Sequence, residues 1–291
     1  MVAAILKSSR PHQWVKNLFV AAPLVFARRI DDIHAVLHAA IAVAGFCFIS
    51  SAVYLINDVV DVEKDRAHPL KRLRPIASGA LPVRTAKFAA TLFTLVGLLA
   101  ISLRGPLPAA IAAAYLVQNL AYSFRLKHVP FIDVASIAAG FILRVLAGAA
   151  AIPVDPSFWL LTCTLLLASF LGFGKRAHEL RTSANRGGDQ RKVLARYNLK
   201  VLRFLIYLLA VLTILAYAGY TQSHHALTFF GTRRLILTVP FVVFGVFRFM
   251  WITQKKSDSE SPTDSMLRDA PFMINLLGYA TAIVAIIYAS W

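Results

Sequence analysis

The sequence predicts an all-α protein: a polytopic helical bundle with about nine transmembrane helices. Three observations predict it. The chain is 58% hydrophobic and 15% charged, with a mean hydropathy of +0.65, and a soluble domain carries about 25% charge. Apolar stretches of membrane-spanning length recur from one end to the other. The longest polar stretches, 57–84, 175–200 and 253–270, are too short to fold alone. Backbone polar groups inside a bilayer need partners within their own segment, so the apolar stretches are helices. The whole chain, 1–291, reads as one transmembrane domain.

The candidate spans are 15–30, 34–56, 85–103, 107–123, 131–151, 157–174, 201–221, 235–252 and 271–290. The first is short and contains Pro23. It follows charges and a Pro11-His12-Gln13-Trp14 turn rather than a cleavable leader. The second runs into an acidic segment, and the sixth runs into a basic one. The stretch from Gln254 to Ser265 has the composition of an ordinary mobile loop. Cys47 and Cys163 both fall in apolar spans and read as small buried hydrophobes.

The net charge is +17. In a soluble chain that would suggest nucleic acid; here the placement of the charge excludes that reading. With the loops assigned alternately to two sides, one side holds 25 of the 31 Lys and Arg. That side includes the N-terminus and the acidic segment. Cytoplasmic loops carry such an excess, so both face the cytoplasm. The excess is larger than orientation needs, which points to an anionic ligand.

The acidic segment is Tyr54-Leu-Ile-Asn57-Asp58-Val-Val-Asp61-Val-Glu63-Lys64-Asp65. At 100° per residue, Tyr54, Asn57, Asp58, Asp61 and Asp65 share one helical stripe. Stacked carboxylates repel, so the stripe needs a counter-charge. Its oxygen donors suit a hard cation, Mg²⁺ above all. Solvated carboxylates, or pairs with Lys64 and Arg66, are the plain alternative. Arg66, Lys71, Arg72 and Arg74 follow at once. Acid for a metal and then base for an anion makes a magnesium–phosphate site at a membrane surface. Asn57 and Asp61, one turn apart, are the direct ligands in this reading, and Asp58 and Asp65 support them.

This pattern resembles the UbiA superfamily of membrane prenyltransferases. Members have nine spans and an Asn-Asp-x-x-Asp-x-x-x-Asp motif after the second, matched by 57–65. A Tyr-x-x-x-Lys-like motif after the fourth is matched loosely by Tyr122-Ser-Phe-Arg-Leu-Lys127. The second acidic motif, expected after the sixth span, is missing. Gly174-Lys175-Arg176-Ala-His-Glu179 stands there instead, with two cations and one carboxylate. That change favours a second bare phosphate over a second metal.

Arg10-Pro-His-Gln-Trp-Val-Lys16-Asn17, Ala67 to Gly79, Gly174 to Glu179 and, more weakly, Ser261 to Pro271 are similar to one branch of the superfamily. That branch is the decaprenyl-phosphate phosphoribosyltransferases. The resemblance implies a Mg²⁺-dependent enzyme that moves 5-phosphoribose from phosphoribosyl pyrophosphate to a polyprenyl phosphate. It implies that Asp58, Asp61 and Asp65 act with the metal at the pyrophosphate. Lys71, Arg72 and Arg74 would clamp donor phosphate, with Arg66 beside them. Tyr54 either hydrogen-bonds donor oxygens or packs, and Lys16 either binds phosphate or snorkels. Lys127 and Tyr122 occupy the family's motif positions. Glu179 either accepts from a ribose hydroxyl or pairs with Lys175.

Arg144 is the one basic residue deep in a candidate span, where a charge is expensive and usually functional. It either pairs with Asp133 or binds the acceptor phosphate, with Lys175 and Arg176 completing a basic wall. His12, His68, His128 and His178 read as polar loop or interface residues. A homo-oligomer is compatible with such a bundle. Two other functions compete: an aromatic prenyltransferase, which would need the missing acidic motif, and a lipid-phosphate transporter or scaffold, which would not need the metal motif.

Overall fold

The computed structural model describes residues 1–186, 194–254 and 262–288. Among them there is no strand. Among the described residues, eight helices are long and apolar enough to cross a membrane. Met1–Pro156 form one compact unit, and the described residues from Ser157 onward form another.

The first unit begins with α1 (Val2–Ser9), a 3₁₀ stretch (Pro11–Asn17) and α2 (Leu18–Phe26). The first candidate span, 15–30, is therefore two short pieces rather than one crossing helix. Pro11 starts the 3₁₀ stretch and Pro23 lies inside the nine-residue α2. A proline in a helix interior removes one ladder hydrogen bond and limits its length.

Next comes α3 (Ile33–Val60), the longest helix of this unit. Asp32 caps it by accepting from the backbone N–H of His34 and Ala35. The hydrogen bond from Arg29 holds the Asp32 carboxyl below the usual carboxylate range. The chain continues through α4 (Val62–Ala67), α5 (Val83–Ser102), α6 (Pro106–Phe124) and α7 (Ile132–Ala151).

Two close crossings set the geometry of this bundle. Gly45 of α3 and Gly97 of α5 face each other, and a Cβ on Gly97 would lie 2.7 Å from the Gly45 carbonyl oxygen. Gly148 of α7 lies against α2, where an added Cβ would sit 1.8 Å from the Val20 carbonyl oxygen. Small residues let membrane helices approach this closely. Around these crossings Phe46, Ile49, Ile101, Ala112 and Ala147 are fully buried.

The second unit contains α8 (Phe158–Arg186), α9 (Leu199–Gln222), α10 (His224–Phe230), α11 (Val239–Gln254), α12 (Pro262–Arg268) and α13 (Ala270–Tyr288). The polar stretch at 175–200 is helical as far as Arg186, since no proline interrupts α8 and its backbone bonds are internal. Part of the stretch read as a mobile loop is also helical, in α12. Residues 255–261, which include Lys255, Lys256 and Ser261, lie outside the described residues. In this unit Phe170 packs on Phe249. Arg248 donates to both oxygens of Asp269, at 2.9 and 2.8 Å. Cys47 and Cys163 are free thiols.

Candidate active site

The acidic stripe is not carried by one continuous helix. α3 ends at Val60, Asp61 leaves helical geometry with φ −94° and ψ 8°, and α4 restarts at Val62. Backbone bonds from Asp61 N–H to Asn57 O and from Asp65 N–H to Asp61 O carry the chain across the break. The four-residue spacing therefore survives, and Asp58 and Asp65 still meet a common partner.

That partner is Arg74, beyond the 3₁₀ turn Lys71–Leu73. Its Nη1 lies 2.8 Å from Asp65 Oδ2 and 3.3 Å from Asp58 Oδ1. Asp58 also accepts from Arg10 Nη2 at 2.5 Å. Both carboxylates are 4% exposed, so an unpaired charge there would be costly. Asp61 accepts from Lys127 Nζ through both oxygens, each at 2.8 Å. Lys127 is itself buried. The N-terminal segment, the 57–82 region and the α6–α7 connection thus meet at one end of the first unit.

Arg10, which sequence reasoning left unassigned, joins this cluster through Asp58. Its guanidinium lies over the Tyr54 ring at 5.1 Å from the centroid. Its backbone is left-handed, with φ 51° and ψ 62°, immediately before Pro11. That geometry costs a non-glycine residue about 1–2 kcal/mol. Strain of this kind persists only where surrounding contacts hold it, and it clusters at functional sites. The available signal was its place at the head of the Arg-Pro-His-Gln-Trp run.

The other predicted residues are placed as follows. Tyr54 underlies Arg10. Arg66 donates to the exposed Glu63 at 2.8 Å and to the Ala77 carbonyl oxygen, so it turns away from the stripe. Lys71 is half-buried and Arg72 exposed on the loop after α4. Lys16 and Tyr122 are half-buried in the same unit. Lys175, Arg176 and Glu179 belong to the second unit, on α8 rather than on a loop. There Glu179 accepts from the fully buried Arg176, with Lys175 Nζ 3.9 Å away.

Deeper in the first unit, Arg144 of α7 is 6% exposed. It does not pair with Asp133. Its Nε donates to Asn17 Oδ1 at 2.9 Å, its Nη1 to the Gly140 carbonyl oxygen at 3.0 Å, and its Nη2 to the Tyr115 hydroxyl at 2.7 Å. The Tyr115 ring lies 4.6 Å from the guanidinium carbon and the Phe141 ring 5.4 Å. All three acceptors are neutral. A guanidinium has five N–H donors, so this buried cation keeps hydrogen-bonding capacity and full charge for an anion.

Asn17 fixes its orientation by donating to Ser50 Oγ at 3.1 Å and Cys47 Sγ at 3.3 Å. The Gly148–Val20 crossing, one turn beyond Arg144 on α7 and three residues beyond Asn17 at the start of α2, holds Asn17 within reach of Arg144. Asn17 and Tyr115 were also missed in the sequence. A polar amide at the edge of an apolar run was the signal for the first.

Oxygen donors for a metal are present in Asn57, Asp58, Asp61 and Asp65. Among the described residues, no group of three or more His, Cys, Asp or Glu converges as a complete cage. Mg²⁺ usually takes one or two carboxylates and completes its shell with water and substrate phosphate. The residues fit that mode of binding, at a metal shared with a diphosphate.

The sequence pattern of the UbiA prenyltransferase family matches residues 18–288. The chain belongs to the UbiA prenyltransferase family. This UbiA protein is 37% identical to a decaprenyl-phosphate phosphoribosyltransferase of Corynebacterium glutamicum, over 98% of this chain and 86% of that one. A protein of the same name from Mycobacterium tuberculosis is 32% identical, over 98% and 94%. Among solved structures, a UbiA homolog from Archaeoglobus fulgidus bound to GPP and Mg²⁺ superposes with a TM-score of 0.73. It is 18% identical, and the match covers 98% of this chain and 99% of that one. The fold is therefore that of the UbiA family, in a multi-pass membrane enzyme.

Proposed function

We propose that this UbiA protein transfers 5-phosphoribose from phosphoribosyl pyrophosphate to a polyprenyl phosphate, releasing pyrophosphate, with Mg²⁺ as cofactor. The full-length likeness to proteins named decaprenyl-phosphate phosphoribosyltransferase carries this reading. The presence of two separate cationic regions in unit 1 supports it. One combines acids and cations, as a metal-bound diphosphate needs. The other is a cation alone, which suits a bare phosphate. Asn17 binds Ser50, two turns before Asn57 on α3, so the regions lie about 10 Å apart along that helix.

Asn57 and Asp61 would hold the metal, with Asp58 and Asp65 beside them. When bound, Mg²⁺ neutralises the leaving pyrophosphate as a Lewis acid and template. Arg74 and Lys127, with Lys71 and Arg72 on the adjoining loop, face the donor's phosphates, and Tyr54 and Arg66 frame that end. Arg144, set by Asn17 and Tyr115, holds the acceptor phosphate inside the bundle. Lys16 and Tyr122 lie in the same unit, and Lys175, Arg176 and Glu179 form a basic segment of the second unit.

The C–O bond from the anomeric carbon to pyrophosphate breaks and takes its electron pair to pyrophosphate. A phosphate oxygen of the acceptor bonds to that carbon from the opposite face, inverting it. The acceptor is already anionic at neutral pH, so no side chain has to remove a proton. Catalysis rests on positioning and electrostatics.

The membrane is a bacterial plasma membrane, and the N-terminus and the acidic end face the cytoplasm. The Lys and Arg asymmetry supports that orientation. A transfer assay tests the reaction. Purified protein with labelled phosphoribosyl pyrophosphate, polyprenyl phosphate and Mg²⁺ yields a labelled lipid. No labelled lipid, together with product from a prenyl diphosphate and hydroxybenzoate, would mean an aromatic prenyltransferase instead.

A further inference from the structure

The three carboxylates of the stripe are each already held by a cation from elsewhere in the sequence. Arg10 reaches Asp58 across 48 residues, Lys127 reaches Asp61 across 66, and Arg74 bridges Asp58 and Asp65. Asp58, Asp65 and Lys127 are buried, so these pairs are poorly screened by solvent. The acids that suit a metal and the cations that suit a diphosphate therefore occupy each other.

We infer that Arg10, Arg74 and Lys127 are diphosphate-binding cations parked on the metal's carboxylates, so that metal and diphosphate can only load together. The inference rests on reading this end as a metal–diphosphate site, and it adds Arg10 to that site. A divalent cation arriving alone would have to displace Lys127 from Asp61 and leave a buried ammonium without a partner. A diphosphate arriving alone would be drawn to the cations but repelled by the carboxylates they leave behind. When both arrive, every charge is matched again: carboxylates on the metal, cations on the phosphates. Buried charges resist the first two states and accept the third. The strained backbone at Arg10 holds its guanidinium over Tyr54, beside the acids and ready for the exchange.

Binding, without turnover, tests this. Full-length protein in detergent is titrated with Mn²⁺ alone, with bound metal read by electron paramagnetic resonance. The titration is then repeated with Mn²⁺ plus inorganic pyrophosphate. Lys127→Met is expected to bind Mn²⁺ alone about tenfold more tightly than the parent and the Mn²⁺–pyrophosphate pair about tenfold less tightly, within the usual range of coupling between two ligands. Opposite signs for the two probes are the signature of the exchange. Weakening of both, or no change in either, would make Lys127 a structural ion-pair partner and overturn the inference. Arg10→Gln, at a partly exposed position, gives the same pair of signs and serves if Lys127→Met does not fold. Should the parent protein bind no Mn²⁺ even with pyrophosphate present, the metal–diphosphate reading itself falls.

Discussion

Two regions of the first unit handle buried charge in opposite ways. At the α3–α4 break, Asp58, Asp61 and Asp65 are matched by Arg10, Arg74 and Lys127. Deeper in the bundle, Arg144 is surrounded by an amide, a carbonyl, a phenol and two aromatic faces, with no carboxylate among its partners. On the proposed function, the matched region takes two ligands of opposite charge and the unmatched region takes one anion. Dipoles and ring faces soften the cost of the buried cation without cancelling its charge, so no carboxylate of the protein's own competes with an anion there.

Substitutions that break this contrast should differ in effect. The largest is expected for Asp61→Ala. It removes the proposed metal ligand and strands Lys127, so turnover should fall by about a thousandfold, comparable to loss of a principal electrostatic stabiliser. Circular dichroism would show the helical fold retained, and full activity would remove Asp61 from the site.

Asn17→Asp is the sharper experiment, because it makes the unmatched region resemble the matched one. A carboxylate 2.9 Å from Arg144 Nε would supply an internal counter-ion. The KM for the lipid acceptor should rise roughly tenfold, about the value of one charge-assisted hydrogen bond. The thermal midpoint should hold or rise.

Gly148→Ala acts on the frame. The added Cβ meets the Val20 carbonyl oxygen, so α2 must shift from α7 and carry Asn17 with it. A loss of about 1–3 kcal/mol is the usual cost of overpacking, with acceptor use weakened more than donor use. The smallest effect belongs to Trp14→Phe, which removes the indole hydrogen bond to Ser51 Oγ at 3.1 Å. About 1 kcal/mol of stability is expected from one such bond, with both KM values unchanged.

Much of this was legible in the sequence. Apolar runs located the spanning helices, because a bilayer leaves the backbone no alternative to helix. The spacing of Asn57, Asp58, Asp61 and Asp65 marked the end of the first unit where Arg10, Arg74 and Lys127 gather. Partners far apart in the chain were not legible. Nothing local to Arg10 points to Asp58, and nothing in α7 alone decides between Asp133 and Asn17 as the partner of Arg144. Those choices depend on helix packing, here on Gly148 against Val20, which periodicity cannot report. The break at Asp61 was hidden for a related reason: hydrogen bonding across it keeps the helical spacing that the sequence displays.

The division of labour between the two regions can be read from one variant. Steady-state kinetics of Arg144→Met, with each substrate varied in turn, should give an acceptor KM raised about a hundredfold, near the upper value of a charged hydrogen bond. The donor KM should stay within about twofold, the scatter expected where no contact is lost. A donor KM that rises as much as the acceptor KM, or an acceptor KM that does not move, would contradict the account.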